Sequence, residues 1–526
     1  MSGGISRRDA LVGGVAALGL LAAGCGRTKK TALAEPFTLG VASGEPTSDG
    51  VVLWTRLAPQ PLAEDGLGGM PGRVVAVEWE LAEDEQFRKV LRRGSVDAAA
   101  ESAHSVHVEV EGLSSGAEYF YRFRAEGQVS PAGRTRTAPA RGTGLPDNGS
   151  GTGGEMTMCF VSCSQYEHGY FTAYRRLAEE HPDLVLHLGD YIYEYQAGVY
   201  TLPEGNPRGH AGPETETLAN YRQRHAQYKT DADLQAAHAI APWAVVWDDH
   251  EVDNNWANLV YEKPEIPQPE FARRRAAAFQ AYYENMPLRK SSMPNDGALQ
   301  LYRRLHWGDL ATFHMLDTRQ YRDDQACGDG LKSCPARTDG ARSITGAEQE
   351  RWLLDGFRES RARWDVLGQQ VFFAQLDLDP GAGEKNNLDA WDGYAANRDR
   401  VVQGWVDAKV RNPVVLTGDV HAAWAADIKQ RWDDPGSATL GTELVATSIT
   451  SGGDGTESRP DVEAVLPGNP HIRFFNNRRG YVRTRISPRE VRADFRAVPY
   501  VSREGAPVET RASFVIEDGR PGLNPV

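Results

Sequence analysis

Asp190, Tyr193, Asp249, Asp419 and His421 each fall at or just beyond the end of an apolar run, and Cys163 does the same. The carboxylates and the imidazole are ligands for metal ions, while Cys163 and Tyr193 offer a thiolate and a phenolate. Oxygen-rich donor sets suit Ca²⁺, Mg²⁺ or Mn²⁺. Phenolate and thiolate together are better matched to a strongly Lewis-acidic Fe³⁺, which stabilises both anions at neutral pH. The mixture therefore points to unlike metals sharing a carboxylate. Two ions ~3.5 to 4 Å apart can clamp a phosphoryl group and generate an attacking hydroxide.

The elements that position these groups share one design. In Asp183 to Tyr195, Leu184, Val185, Leu186 and Leu188 suit a strand buried on both faces, and Gly189 lets the chain turn into a loop carrying Asp190, Tyr191, Tyr193 and Glu194. Met156 to Val161 runs likewise into Ser162 and Cys163; Trp243 to Trp247 runs into Asp248, Asp249, His250 and Glu251; Pro413 to Leu416 runs into Gly418, Asp419 and His421. If these strands lie parallel in one fold, their ends converge at its carboxyl edge.

The chain has 526 residues, too many for one compact domain of the usual size, and 40% hydrophobic residues, enough to give each of at least two domains a core. A net charge of −14 argues against a nucleic-acid-coating surface, which needs a basic face. Residues 37–140 read as short strands (Val51 to Trp54, Val74 to Trp79, Val106 to Val110, Tyr119 to Phe123) separated by turns, as in a small immunoglobulin- or fibronectin-like β-sandwich. Residues 141–154, rich in Gly, Ser and Pro, read as a linker. From 155 to 526 helical stretches (Gly169 to His181, Glu270 to Asn285, Ala347 to Arg361, Asn397 to Val410) alternate with strands at 243–247, 310–316, 370–374 and 413–416. That alternation predicts an α/β domain of stacked sheets flanked by helices, and the β-rich last hundred residues are expected to complete a second sheet.

Residues 1–25 read as a signal peptide. Arg7 and Arg8 precede an apolar stretch, Ala10 to Gly24, that is shorter than the ~20 residues of a spanning helix. A twin arginine suggests the Tat route for folded proteins, although Ala10 and Val12 depart from its usual pattern. Leu21 to Cys25 also resembles a lipobox, so that either Cys25 is acylated and tethers a surface lipoprotein, or it is a chance cysteine in a discarded leader and the protein is secreted or periplasmic. Residues 26–36 form a polar tether. Cys327 and Cys334 are either a disulfide of an oxidising compartment or two free thiols, and Cys159 reads as a buried small hydrophobe.

An ordered set of segments carries a resemblance: FTLGVASGEPTSDGVVLWTRL, SCSQYEHGYFTAYR, HLGDYIYEY, WDDHEVDNNW, LDTRQYR, LTGDVH and RASFVIEDGRPG. The sequence resembles PhoD-like alkaline phosphatases/phosphodiesterases of the metallophosphoesterase superfamily across most of the mature chain. The resemblance implies an Fe³⁺ and Ca²⁺ cofactor pair, with Asp190 bridging, Cys163, Tyr193 and His421 on the iron side, and Asp249 and Asp419 on the calcium side. His250 then contacts substrate or leaving group, and Asn254 and Asn255 are calcium ligands or phosphate contacts.

Other readings compete at single positions. Tyr193 either ligates or packs between Tyr191 and Tyr195; Arg319 either grips a phosphate oxygen or pairs with Asp317, the pairing being preferred. Asp248 is expected to make structural hydrogen bonds, His187 to be a packed core histidine, and Trp256 and Trp424 to line the cleft or pack at its rim. The resulting expectation is an exported, monomeric hydrolase of phosphate mono- or diesters using metal-activated water, without a phosphoenzyme. A nucleophilic serine is disfavoured, because Ser162 immediately precedes a proposed metal ligand. The alternatives are a phospholipase D-type phosphodiesterase of the same family and a non-catalytic lipoprotein stapled by metals.

Overall fold

The computed structural model describes residues 34–143, 154–263 and 265–526. The leader with Cys25, most of the tether and most of the linker lie outside the described residues. Ala34–Val526 forms one compact unit, and no helix among the described residues is long and apolar enough to cross a membrane.

The fold is α/β, built on two sheets. The first has three parallel strands at its centre, Met156–Val161, Leu184–Leu188 and Pro242–Val246. Leu184–Leu188 is buried at every position, as an uninterrupted apolar run requires when both faces are covered. The second sheet holds Ala311–Met315, Trp364–Gly368, Pro413–Thr417 and Thr439–Val445 in parallel, with Arg303–Trp307 and Ala423–Lys429 added antiparallel. Alternation along its strands sorts the side chains. Val414 and Leu416 join the core shared by both sheets, whereas Val415 and Leu367 pack with Leu353, Phe357, Val401 and Trp405 of helices Gly346–Glu359 and Ala395–Ala408. Each such side chain is worth about 1.5–3 kcal/mol when fully buried, so a one-residue slip of register would exchange both cores at once.

The strand Ile472–Ile486 joins the two sheets. Residues 472–476 pair with Ala423–Ala426, and residues 482–486 with Met156–Phe160. Glu490–Val498, Glu509–Glu517 and Arg520–Pro525 continue outward from it. The β-rich C-terminus therefore adds residues 472–476 to the second sheet, while the rest of it widens the first. The N-terminal strands also divide between layers. Val75–Ala82, Val90–Ala98, Glu118–Ala125, Gln128–Val129 and Gly133–Arg136 form their own sheet. Val41–Gly44, Val51–Arg56 and Ser105–Val110 instead extend the first sheet, because Val41–Gly44 pairs parallel to Pro242–Val246.

Two further expectations fail for physical reasons. Residues 370–374 are not a strand, although Val371, Phe372, Phe373 and Ala374 are buried. The buried carboxylate of Glu443 accepts from the N–H of Phe373 and of Ala374, both at 2.8 Å, so a side chain satisfies the backbone that a neighbouring strand would otherwise pair. The strand of this region is Trp364–Gly368. Helices Leu218–Lys229 and Ala232–Ile240 escape a periodicity reading because the first buries polar residues around most of its circumference. Their N-caps were the available signal, with Thr217 and Asn220 forming a capping box and Asp231 accepting from Asp233 and Leu234.

Candidate active site

The strand ends converge through short backbone links. Cys163 N–H donates to Gly189 O at 3.1 Å and Ser164 N–H to Asp190 O at 2.8 Å, which joins the first two ligand loops. Gly189 has φ 105°, and a Cβ there would lie 2.4 Å from Asp248 Cβ, so glycine is what allows the second and third loops to touch. Cys163, Asp190, Asp419 and His421 themselves hold φ values of 60°, 55°, 63° and 51°. Such left-handed non-glycine residues cost on the order of 1–3 kcal/mol each and persist where the surroundings over-determine them. Four of the six ligand candidates thus turn out of their strands abruptly, with their side chains gathered in one place.

Three overlapping donor groups result. Cys163, Asp190 and His421 form one, Asp190, Asp249 and His250 a second, and Asp248, Asp249 and Asp419 a third, the ligand atoms of each lying within 4.8 Å of one another. Asp190 belongs to the first two and Asp249 to the last two. The Tyr193 hydroxyl lies 3.0 Å from Asp190 Oδ2 and 3.0 Å from His421 Nε2, and accepts from Ser451 Oγ at 2.7 Å. Burial, reinforced by the Asp190 charge, pushes the Cys163 thiol and the Tyr193 phenol well above their ordinary values. Burial also raises Asp190 and Asp419 well above the carboxylate range. Asp190 Oδ1, Asp248 Oδ2 and Asp249 Oδ1 are buried and accept no hydrogen bond. Buried carboxylate oxygens left in this way need a cation, and the donors suit one: sulfur, phenol and imidazole at one end, carboxylate oxygens at the other.

A surrounding set of buried charges fixes the loops. His250 stacks on Tyr193 with ring centroids 4.1 Å apart, and its Nδ1 lies 2.8 Å from Glu194 Oε2. Burial opposes its charge, but Glu194, Asp249 and Asp190 outweigh burial and raise it well above an ordinary histidine. Arg319 does not meet Asp317 through its side chain, which corrects the preferred pairing. Its Nε donates to Asp248 Oδ1 at 2.5 Å and its Nη1 to Asp389 Oδ1 at 2.9 Å, while Nη2 lies 3.5 Å from Asp249 Oδ1. Asp317 Oδ1 instead accepts from the backbone N–H of Arg319 and Gln320. A fully buried guanidinium committed to carboxylates positions them and does not grip substrate. Burial acts against the Asp249 charge, yet Arg319 and His250 hold that carboxyl below its usual range.

Asn254 and Asn255, expected as calcium or phosphate contacts, direct their amides elsewhere. Asn254 donates through its side chain to Glu262 at 2.8 Å, and Asn255 donates to Asp329. Their backbone N–H groups serve the site by donating to Glu194 Oε1 at 3.0 Å and Asp249 Oδ2 at 2.8 Å. Asp248 divides its oxygens between Arg319 and the third donor group. His187 is a buried histidine bonded to Tyr174 and stacked on Trp243. Trp256 packs on Phe271 and Phe279, and Trp424 on Phe372 and Phe475. Cys327 and Cys334 form a disulfide, and Cys159 is buried.

Glu251 and Arg479 received no role from the sequence. Glu251 Oε2 accepts from the N–H of Asp190 at 3.0 Å and of Asp248 at 2.7 Å, and Oε1 from Tyr191 N–H at 2.5 Å. Arg479 Nη1 donates to His421 O at 2.6 Å, Ser448 Oγ at 2.6 Å and Ser451 O at 2.5 Å. Glu251 lies two residues beyond Asp249 and was within reach of a motif reading; Arg479, on the joining strand, carried no local signal.

Residues 158–495 match the model of the PhoD-like phosphatase family, and residues 23–139 match that of the PhoD-like phosphatase N-terminal domain. Alkaline phosphatase D of Bacillus subtilis (strain 168) is 52% identical over 493 residues, covering 93% of this chain and 82% of the relative. A solved structure described as "Structure of PhoD" superposes with a TM-score of 0.90 at 51% identity, covering 94% of this chain and 92% of the other. The chain belongs to the PhoD-like phosphatase family and is a phosphoric ester hydrolase.

Proposed function

We propose that the protein is an exported alkaline phosphatase/phosphodiesterase whose site holds Fe³⁺ and Ca²⁺. Cys163, Tyr193 and His421 would hold the iron, Asp249 and Asp419 the calcium, and Asp190 both. When bound, the metals neutralise charge on the phosphoryl oxygens and acidify water at the site. The chain's own residues do the rest. His250, fixed by Glu194 through Nδ1, has its Nε2 3.9 Å from Asp249 Oδ2, toward the donor array, where it serves the phosphoryl or leaving oxygen. Arg319 and Glu251 keep Asp248, Asp249 and Asp190 in place. The Tyr193 ring packs beside His250 and limits its swing.

The observation that carries this reading is the continuous array of three donor groups, in which Asp190 Oδ1, Asp248 Oδ2 and Asp249 Oδ1 are buried without a hydrogen bond among the described residues. Metal analysis combined with hydrolysis of p-nitrophenyl phosphate and bis-p-nitrophenyl phosphate tests it. A calcium-selective chelator should abolish turnover, and added Ca²⁺ should restore it. An iron-bound phenolate should also give the protein a visible absorption that Tyr193→Phe removes. Full turnover of both esters by metal-free protein would end this reading.

Export is supported by Arg7 and Arg8 ahead of the apolar stretch, and by the disulfide, which fits an oxidising compartment. Arg7→Lys with Arg8→Lys should leave active precursor in the cytoplasm. Cys25→Ala should release a lipoprotein from the membrane fraction, whereas an unchanged distribution would assign Cys25 to the discarded leader.

A further inference from the structure

Tyr200 lies on the loop after Glu194, outside every motif that marks the site. Its backbone is firmly held. The Tyr200 carbonyl accepts from Asn206 Nδ2 at 2.9 Å, and Asn206 Oδ1 in turn accepts from Leu202 N–H at 2.9 Å. The same carbonyl lies 3.2 Å from His168 Nε2. Gly452 N–H donates to His168 Nδ1 at 3.1 Å, which makes Nδ1 the acceptor and places the ring proton on Nε2, facing Tyr200 O. Gly198, two residues earlier, donates its N–H to Glu167 Oε1 at 3.1 Å.

The side chain held by this anchor is left without a polar partner. Among the described residues no group hydrogen-bonds the Tyr200 hydroxyl, and the residue is only half-buried. Its ring packs edge-on against His168 with centroids 4.4 Å apart, and lies 6.3 Å from the Tyr193 ring and 5.6 Å from the Tyr195 ring. Tyr195, also half-buried, meets His250 edge-on at 5.4 Å. Tyr200 and Tyr195 are therefore partly exposed rings packed beside Tyr193 and His250. A phenol offers one O–H donor at this position.

We propose that Tyr200 contacts the substrate: its O–H donates to an oxygen of the phosphate ester, and its ring packs against a flat organic group on that ester. A rigid backbone carrying an unpartnered phenol beside the donor array is the arrangement such recognition requires, because little ordering entropy remains to be lost on binding. This rests on the phosphoesterase reading, with flat aryl esters as the favoured class.

The test compares wild type, Tyr200→Phe and Tyr200→Ala on bis-p-nitrophenyl phosphate and on an alkyl p-nitrophenyl diester, with metal content and thermal stability measured for each. Tyr200→Phe should lower kcat/KM on both esters about tenfold, the worth of roughly one hydrogen bond to a charged oxygen. Tyr200→Ala should in addition erase the preference for the aryl diester, mainly through KM, while metal content stays at the wild-type level. Calorimetric binding of inorganic phosphate, weakened in both variants, reads the hydroxyl without turnover. Variants that match wild type in both turnover and phosphate binding overturn the assignment of Tyr200. Phosphate binding weakened by Tyr200→Phe, in a protein whose wild-type form cleaves no ester, overturns the phosphoesterase reading and leaves Tyr200 as an anion contact.

Discussion

The two ends of the donor array are held by opposite charges. At the end formed by the first sheet, the buried carboxylate of Glu251 gathers N–H groups of Asp190, Tyr191 and Asp248. At the end formed by the second sheet and the joining strand, the buried guanidinium of Arg479 gathers the carbonyls of His421 and Ser451 with the hydroxyl of Ser448. Where a loop turns its amides inward an acceptor is needed, and where it turns its carbonyls inward a donor is needed. The difference shows that the abrupt left-handed turns of the ligand loops are enforced by buried charged side chains as well as by the turns' own residues.

The array joining the two ends is the point at which the largest effect is expected. Asp190→Asn removes the carboxylate shared by the Cys163–His421 group and the Asp249 group, and should eliminate metal and nearly all turnover. His250→Ala, which spares every other donor, should keep metal and lose ~10² to 10³ in rate. Metal analysis with kcat/KM on p-nitrophenyl phosphate decides the matter, and full metal occupancy in Asp190→Asn would remove its sharing role.

Glu251→Gln sharpens the comparison at the acceptor end. A carboxamide has one acceptor oxygen and sets an NH₂ group against backbone donors, so about 2–4 kcal/mol of unfolding stability and ~10- to 100-fold of metal affinity should be lost. Denaturant titration and metal competition measure the two. Arg479→Met acts at the donor end, where the His421 and Ser451 carbonyls lose their partner, and should cost about 1–3 kcal/mol. Spectroscopic loosening of a Tyr193- and His421-bound metal in Arg479→Met, without loss from Asp249, would separate the two ends. Identical metal losses in both variants would show that the ends are not independent.

Lys229 is a buried amine without such compensation, and the effect expected there is a slope of stability with pH. Its ammonium has no carboxylate partner among the described residues and lies 4.3 Å from the Trp54 ring and 5.2 Å from the Tyr191 ring, with His238 Nε2 at 3.4 Å. Burial, helped by Arg56, holds it well below an ordinary lysine. A cation depressed in the folded state contributes stability fully above its unfolded pKa of about 10.4 and loses it as pH falls toward the folded value. Wild-type stability should therefore climb over the alkaline range up to about pH 10, by at most roughly 1.4 kcal/mol per unit from this group. Lys229→Met should flatten that slope. The neighbouring His225 and His238 are also depressed by burial first and then by Lys229, and titrate below this window. Equal slopes in the two proteins, measured by urea unfolding, would assign the pH dependence elsewhere.

What could be read in advance and what could not differ in sequence range. Each ligand candidate is announced locally, by an apolar run, a turn and a donor within about ten residues, so Cys163, Asp190, Tyr193, Asp249, Asp419 and His421 were legible together with the parallel strands that carry them. The resemblance supplied their grouping, and the overlap of the three donor groups is what the fold adds. The partners of Arg319 were not legible, because Asp248 and Asp389 lie about seventy residues away on either side while Asp317 stands two residues from it in the chain.

The sequence by itself determined which strands are buried, where they end and which donors follow them, since burial pattern and turn chemistry are properties of short segments. Only the tertiary structure decided how long-range polar groups are satisfied. It set Glu443 in place of a strand under Phe373 and Ala374, ran Ile472–Ile486 through both sheets, and closed the two clamps around the site. The physical reason is that a buried N–H, C=O or charge must find a partner, but nothing in its own segment says which distant residue will supply it.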